Sequence, residues 1–194
     1  MVWTIGRRFL GSGAFLLLLG AAAPDPKPAA PTAAADPKIA ALTMALAQAR
    51  GHTQAMQLEA ELESQRQQAV QPAVRLLQRR AQRELAAGDP RAALSDLDDA
   101  VDLQPDNALL WREHASGRAA NNDLDGAVGD LGGALSRDPD DVLAWQALAA
   151  IEEGRRSWMA AYKAWQHVMS LDPQVQDGAK RLDQLRRRAF GQPA

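Results

Sequence analysis

The chain has 194 residues and a formal net charge of −2, the size of one or two small domains, with no bulk field that calls for nucleic acid. It contains no cysteine, which excludes disulfides, thiolate metal sites, a cysteine nucleophile and a cysteine-linked lipid anchor. Alanine, leucine, glutamine and arginine dominate and only 5 % of residues are aromatic, a composition that favours helices over strands.

The N-terminal segment, MVWTIGRRFLGSGAFLLLLGAAAPDP, has a basic pair at Arg7 and Arg8, an apolar run from Phe9 to Ala23 and a small-residue end. That order predicts a secretory signal peptide over 1–22, cleaved before Ala23 or further on near Pro31–Ala35. The apolar run is shorter than the roughly 20 residues of a spanning helix; an uncleaved inner-membrane anchor is the alternative. The residues around Arg7 and Arg8 fit a twin-arginine motif poorly. Residues 23–37 predict a Pro/Ala-rich linker. Five prolines stand within 24–37, where they remove backbone donors and leave little to bury. An exported, cysteine-free chain is expected in a bacterial periplasm, stable from packing alone.

Residues 38–71 predict a degenerate helix pair. Ile39, Leu42, Leu46 and Ala49 share one helical face, and Ala55, Leu58 and Leu62 share another, with Gly51-His52-Thr53 between them. A repeat follows. Pro105, Pro139 and Pro173 are 34 residues apart, twice, the self-similarity of a solenoid. Fixed offsets from these prolines give small or apolar columns: Leu77, Trp111 and Trp145; Ala81, Ala115 and Ala149; Ala93, Ala127 and Ala161; Leu97, Leu131 and Trp165; Ala100, Ala134 and Val168. Three units result, at 72–107, 108–141 and 142–175, each two helices around a short turn. Gly88 suits a left-handed helix end. Asp89 before Pro90, and Ser157, suit a second-helix start. Each proline stops the second helix, and Asp106, Asp140 and Asp141 help start the next near its positive end. Residues 176–194 predict a capping helix and tail, within a helix over 174–190 that buries Val175, Ala179, Leu182 and Leu185 and exposes Lys180, Arg181, Arg186, Arg187 and Arg188.

On these residues the chain resembles the tetratricopeptide repeat (TPR) family. Trp111 and Trp145 stand at the family's tryptophan, with Leu77 there in the first unit. Ala81, Ala115 and Ala149 stand at its Gly/Ala position, Ala93, Ala127 and Ala161 at its alanine, Trp165 at its second-helix aromatic, and the three prolines at its proline. Two columns depart: Arg80, His114 and Leu148 stand where leucine is usual, and Glu84, Arg118 and Glu152 where tyrosine is usual. The resemblance covers 74–175 and implies an all-α, right-handed α-solenoid of antiparallel helix pairs. The order of segments is similar to small exported TPR proteins of α-proteobacteria, and the degenerate pair is then expected to cover the front of the stack.

Little points to chemistry. His52, His114 and His167 have no partner at metal spacing. The acidic words at 96–99 and 138–141 read as caps and solvated faces, and DLDG at 123–126 lacks the remaining ligands of a calcium loop. Gly129, Gly132 and Gly133 lie in a helix-periodic segment rather than a phosphate loop. No catalytic residue, metal or cofactor is assigned. Charge is segregated: residues 64–83 hold five Arg and no acid, and residues 89–141 hold thirteen acids against four Arg. Arginines meeting aspartates on the next helix explain this; steering of a charged partner is the other reading.

The resemblance further implies that first helices line a concave groove. Carried over, that face holds Arg75, Gln78, Arg79 and Gln82, then Arg112, Glu113 and Ser116, then Gln146, Ala150 and Glu153. Arg and Gln there suit an extended peptide held by its backbone and carboxylates. The Lys–Asn–Asn–Lys–Arg clamp that some members use for chaperone tails is absent. The chain is expected to be a non-enzymatic, exported protein-interaction scaffold. The alternative is a structural or assembly factor acting through self-association or its terminal helices.

Overall fold

The computed structural model describes residues 36–191; the expected signal and nearly all of the linker lie outside them. The described residues form helices α1 (Pro37–Ala47), α2 (His52–Gln68), α3 (Pro72–Ala86), α4 (Pro90–Leu103), α5 (Ala108–Ala120), α6 (Leu124–Arg137), α7 (Val142–Gly154), α8 (Trp158–Leu171) and α9 (Gly178–Phe190). None of the described helices is long and apolar enough to cross a membrane. Helices α3–α4, α5–α6 and α7–α8 are antiparallel pairs, and each pair packs on the next in an all-α right-handed solenoid.

The repeat columns are the core. Ala81, Ala115 and Ala149 are buried, as are Ala93, Ala127 and Ala161, and these small residues let the two helices of each pair approach closely. Leu97, Leu131 and Trp165 fill the space beside them. Between units, the Trp111 indole donates to the Pro105 carbonyl at 2.7 Å and Trp145 to that of Pro139 at 2.8 Å. Each tryptophan is thereby tied to the turn that ended the previous unit.

The turns repeat one device with different residues. Gly88 (φ 80), Asn122 (φ 63) and Arg156 (φ 61) are left-handed at the same place in successive units. Glycine and asparagine tolerate this conformation; Arg156 carries the steric cost of its Cβ. Asp89 caps α4 through Ala92 N, and Asp123 caps α6 through Gly126 N. Ser157 sits at the N-cap of α8 but makes no side-chain bond there. Helix α5 is capped by Asn107 rather than Asp106, and α7 by Asp141 rather than Asp140.

Two placements differ from expectation. Helix α9 starts at Gly178, later than its periodicity predicts, because Asp177 adopts φ 55 and interrupts the helical path. Gly178 is buried and Ala179 exposed, while Arg181 is half-buried over the Trp165 ring and 2.5 Å from Glu153. The second difference concerns α1 and α2. They do not cover the front of the stack along α3. Helix α1 packs against α8, and Leu46, Ala49, Ala55 and Leu62 join one apolar core with α7, α8 and α9. The pair folds back as an arm toward the far end of the solenoid, leaving Leu76 of α3 60 % exposed.

Candidate functional site

The two columns that depart from the repeat pattern form a separate polar cluster between the helices of each of the first two pairs. Arg80 pairs with the buried Asp96 and with Glu84. One unit on, His114 stands 2.8 Å from Asp130 on one side and 2.8 Å from Asp98 on the other, and Arg118 is also 2.8 Å from Asp130. In the third unit Leu148 and Ala164 belong to one apolar cluster at the same places. Ion pairs thus replace apolar packing in two units of three.

Burial lowers the pKa of His114, but the Asp130 and Asp98 carboxylates outweigh it and raise the pKa overall. A raised folded-state pKa contributes stability that is complete below the unfolded value near 6.5 and is lost as pH rises through the folded value. Stability is therefore expected to fall from pH 6.5 upward through that raised pKa, and His114→Gln to flatten the dependence. Urea unfolding midpoints across pH 6–9 check this; an unchanged slope in the variant excludes His114 as the source.

The first helices α3, α5 and α7 present the candidate groove residues, and the structure divides them. Gln78 and Arg112 are buried and Glu113 half-buried. Gln78 bridges α3 to α5 by donating to Glu113 at 2.9 Å. Burial pushes the Glu113 carboxyl up, against hydrogen bonds from Gln78 and Gln67 and the nearby Arg112. Arg112 reaches both carboxylate oxygens of Glu63 at 2.7 Å and Asp141 at 3.2 Å. Arg75 donates to the Val70 and Gln68 carbonyls, closing the end of α2. Arg79, Gln82 and Ser116 remain exposed on the same face, as does Ala150; Gln146 and Glu153 are half-buried.

Sequence reasoning missed the partner of Arg112, which is the arm. Helix α2 sends side chains to α5 at Arg112 and to the turn before α7 at Asp138 and Asp141. Its Arg66, 6 % exposed, holds Asp138 at 2.7 Å and Asp141 at 3.9 Å and donates to the Asp140 carbonyl. Its His52 is 3.2 Å from the Gln174 carbonyl. Where the chain turns into α3, Gln104 bonds both Gln71 N and the Ala69 carbonyl. Asp96, Asp98, Asp138 and Asp141 of the acidic words are held by Arg80, His114, Arg66 and Arg112. Of the basic stretch 64–83, Arg66 and Arg80 pair with aspartates, Arg75 bonds backbone carbonyls, and Arg79 and Arg83 are exposed. Among the described residues no group of three metal-ligating side chains converges.

No family model and no curated protein matches this sequence. Solved structures do. The first TPR of Spaghetti (RPAP3), bound to the HSP90 peptide SRMEEVD, matches with TM-score 0.55 at 18 % identity, over 59 % of this chain and 93 % of that one. The Sgt2 TPR domain of Aspergillus fumigatus matches with TM-score 0.57 at 20 % identity, over 65 % and 88 %. The TPR2B domain of yeast Sti1, in complex with pHsp70, matches with TM-score 0.54 at 20 % identity, over 62 % and 98 %. The fold is that of tetratricopeptide-repeat domains.

Proposed function

We propose that this chain is an exported, non-enzymatic TPR protein of the small α-proteobacterial type, which holds a peptide or an envelope-protein segment against the concave face of α3, α5 and α7. The observation that carries the reading is the exposed polar strip of Arg79, Gln82 and Ser116 on the first helices α3 and α5, set beside Gln78, Arg112 and Glu113, whose side chains are already partnered. Such a strip suits backbone amides and carboxylates of an incoming chain. Two of the similar structures are complexes with an HSP90 peptide and with pHsp70, which supports a peptide as the ligand class. A periplasmic location is part of the proposal and rests on the charge–apolar–small order of residues 1–22.

A photo-reactive residue at Gln82 or Ser116 is expected to give one common adduct in the cell envelope, lost when Arg79 becomes Glu. The same probe at Asp99, exposed on α4, is expected to give none. Adducts from Asp99 alone would sink the groove assignment. Replacing Arg112 is a poor test, because Arg112 is buried among Glu63 and Asp141. The second reading, an assembly factor, is favoured by Leu76, uncovered on α3. Sedimentation as a monomer at high concentration excludes it.

A further inference from the structure

The arm meets the solenoid as a ligand meets a site. It presents Leu62 and Glu63 and, three residues on, Arg66, all on α2. Leu62 enters the core shared with α7–α9, Glu63 takes the Arg112 fork, and Arg66 takes Asp138 and Asp141. The covalent link from α2 to the stack is the short turn Ala69–Gln71, and α2 does not pack along α3.

The fit is imperfect at defined atoms. Thr43 Oγ1 and Glu59 Oε1 are buried without a hydrogen-bond partner. Glu59 lies near Asp172, a like charge that is itself buried. Burial first, and then Asp172, push the Glu59 carboxyl up, against a weaker pull from His52. Helix α2 also starts at Gly51 with no side-chain cap. An unpartnered buried polar group costs more than a hydrogen bond contributes, so a helix without these faults fits the same surface better.

We infer that the surface beneath the arm, formed by Arg112, Asp138, Asp141 and the turn around Asp172–Gln174, is a helix-docking site that α1–α2 fills as a replaceable occupant. The partner it fits is a helical segment with an aliphatic residue, an acid beside it and an arginine three residues on, and with a neutral residue in place of Glu59. This rests on the reading of the chain as a binding module and names both a second ligand class, a helix, and its control. The tethered arm competes at the high effective concentration of an intramolecular ligand, so only a better-fitting helix displaces it.

The test uses the full chain and a fluorescent peptide of residues 36–71, in its own sequence and as E59Q. The E59Q peptide is expected to bind at least tenfold more tightly than the unchanged one. E59Q placed in the full chain is expected to weaken peptide binding at least tenfold, because the resident arm then fits better. Joining H52C to Q174C with a bis-maleimide, in a chain otherwise free of cysteine, is expected to abolish binding. Equal affinities of the two peptides, or no binding to the unchanged chain at millimolar peptide, overturn the inference. So does exchange of arms between two differently labelled full chains at the same rate as peptide binding, which makes a second copy the occupant. Hydrogen exchange needs no variant: α2 amides are expected to exchange at least tenfold faster than those of α5, and equal protection also overturns the inference. Adducts from Gln82 and Ser116 do not depend on the arm, so either reading can fail without the other.

Discussion

Asp141→Ala is expected to remove about 3 kcal/mol of stability, the cost of losing a helix cap and one of the two carboxylates that neutralise each of two buried guanidiniums. Asp141 is 0 % exposed. Its Oδ1 caps α7 through Leu143 N at 3.0 Å and Ala144 N at 3.2 Å. The same oxygen meets Arg112 at 3.2 Å and Arg66 at 3.9 Å. Alanine therefore deletes a cap worth about 1 kcal/mol and also reduces the neutralisation of two buried guanidiniums. Arg112 keeps Glu63 and Arg66 keeps Asp138, which holds the cost at the low end of what breaking a buried pair removes. The melting temperature is expected to fall by roughly 10 °C. Asp141→Asn retains an acceptor for the amides and isolates the charge contribution, with about half the loss. A loss below about 1 kcal/mol for the alanine variant in urea unfolding would show that the network is solvated.

Leu131→Ala tests how the units are coupled. Leu131 is 0 % exposed and packs with Ala115, Ala127 and Ala144, so its side chain joins the second unit to the third. Its truncation is expected to cost about 2–5 kcal/mol, transfer and cavity together. Each unit of the stack is stabilised by its neighbours, and the third also by the arm, through the core it shares with α1 and α2. A cavity at the joint between the second and third units therefore weakens the coupling across that joint as well as the local core. The urea transition is expected to broaden, with a lower apparent slope, as the first two units unfold separately from the third. Leu185→Ala makes the same deletion in α9, at a site 1 % exposed but near the end of the stack. It is expected to fray that end and leave the main transition sharp. Identical transitions for the two variants would contradict nearest-neighbour coupling.

Most of the fold was legible because its causes are local and repeat. Proline, the small columns and the large columns act within each helix pair, and three copies of one pattern reinforce each other. The departures were legible only in part. Arg80 and His114 look like misplaced polar residues until read with Asp96 and Asp130 on the following helix; where the third unit has Leu148, that place has Ala164. The arm was not legible. Aliphatic faces on α1 and α2 say that something must cover them, but not which end of the stack does so. The deciding contacts, Glu63 with Arg112 and Arg66 with Asp138, join residues 49 and 72 apart in the chain, and no spacing rule connects them. The same contacts removed Arg112 from the free groove residues, while Arg79, Gln82 and Ser116 stayed exposed.

The indole–proline ties at the repeat joints make the molecule optically addressable. Trp111 is bonded to the Pro105 carbonyl and set edge-on to His114 at 6.5 Å between rings; Trp145 is bonded to that of Pro139 and stacked on His167 at 4.1 Å. Each joint thus carries its own chromophore beside its own imidazole. Emission from a chain in which one of these two indoles is the sole tryptophan, the other four of the five being replaced, reports the opening of that joint, with no dye attached.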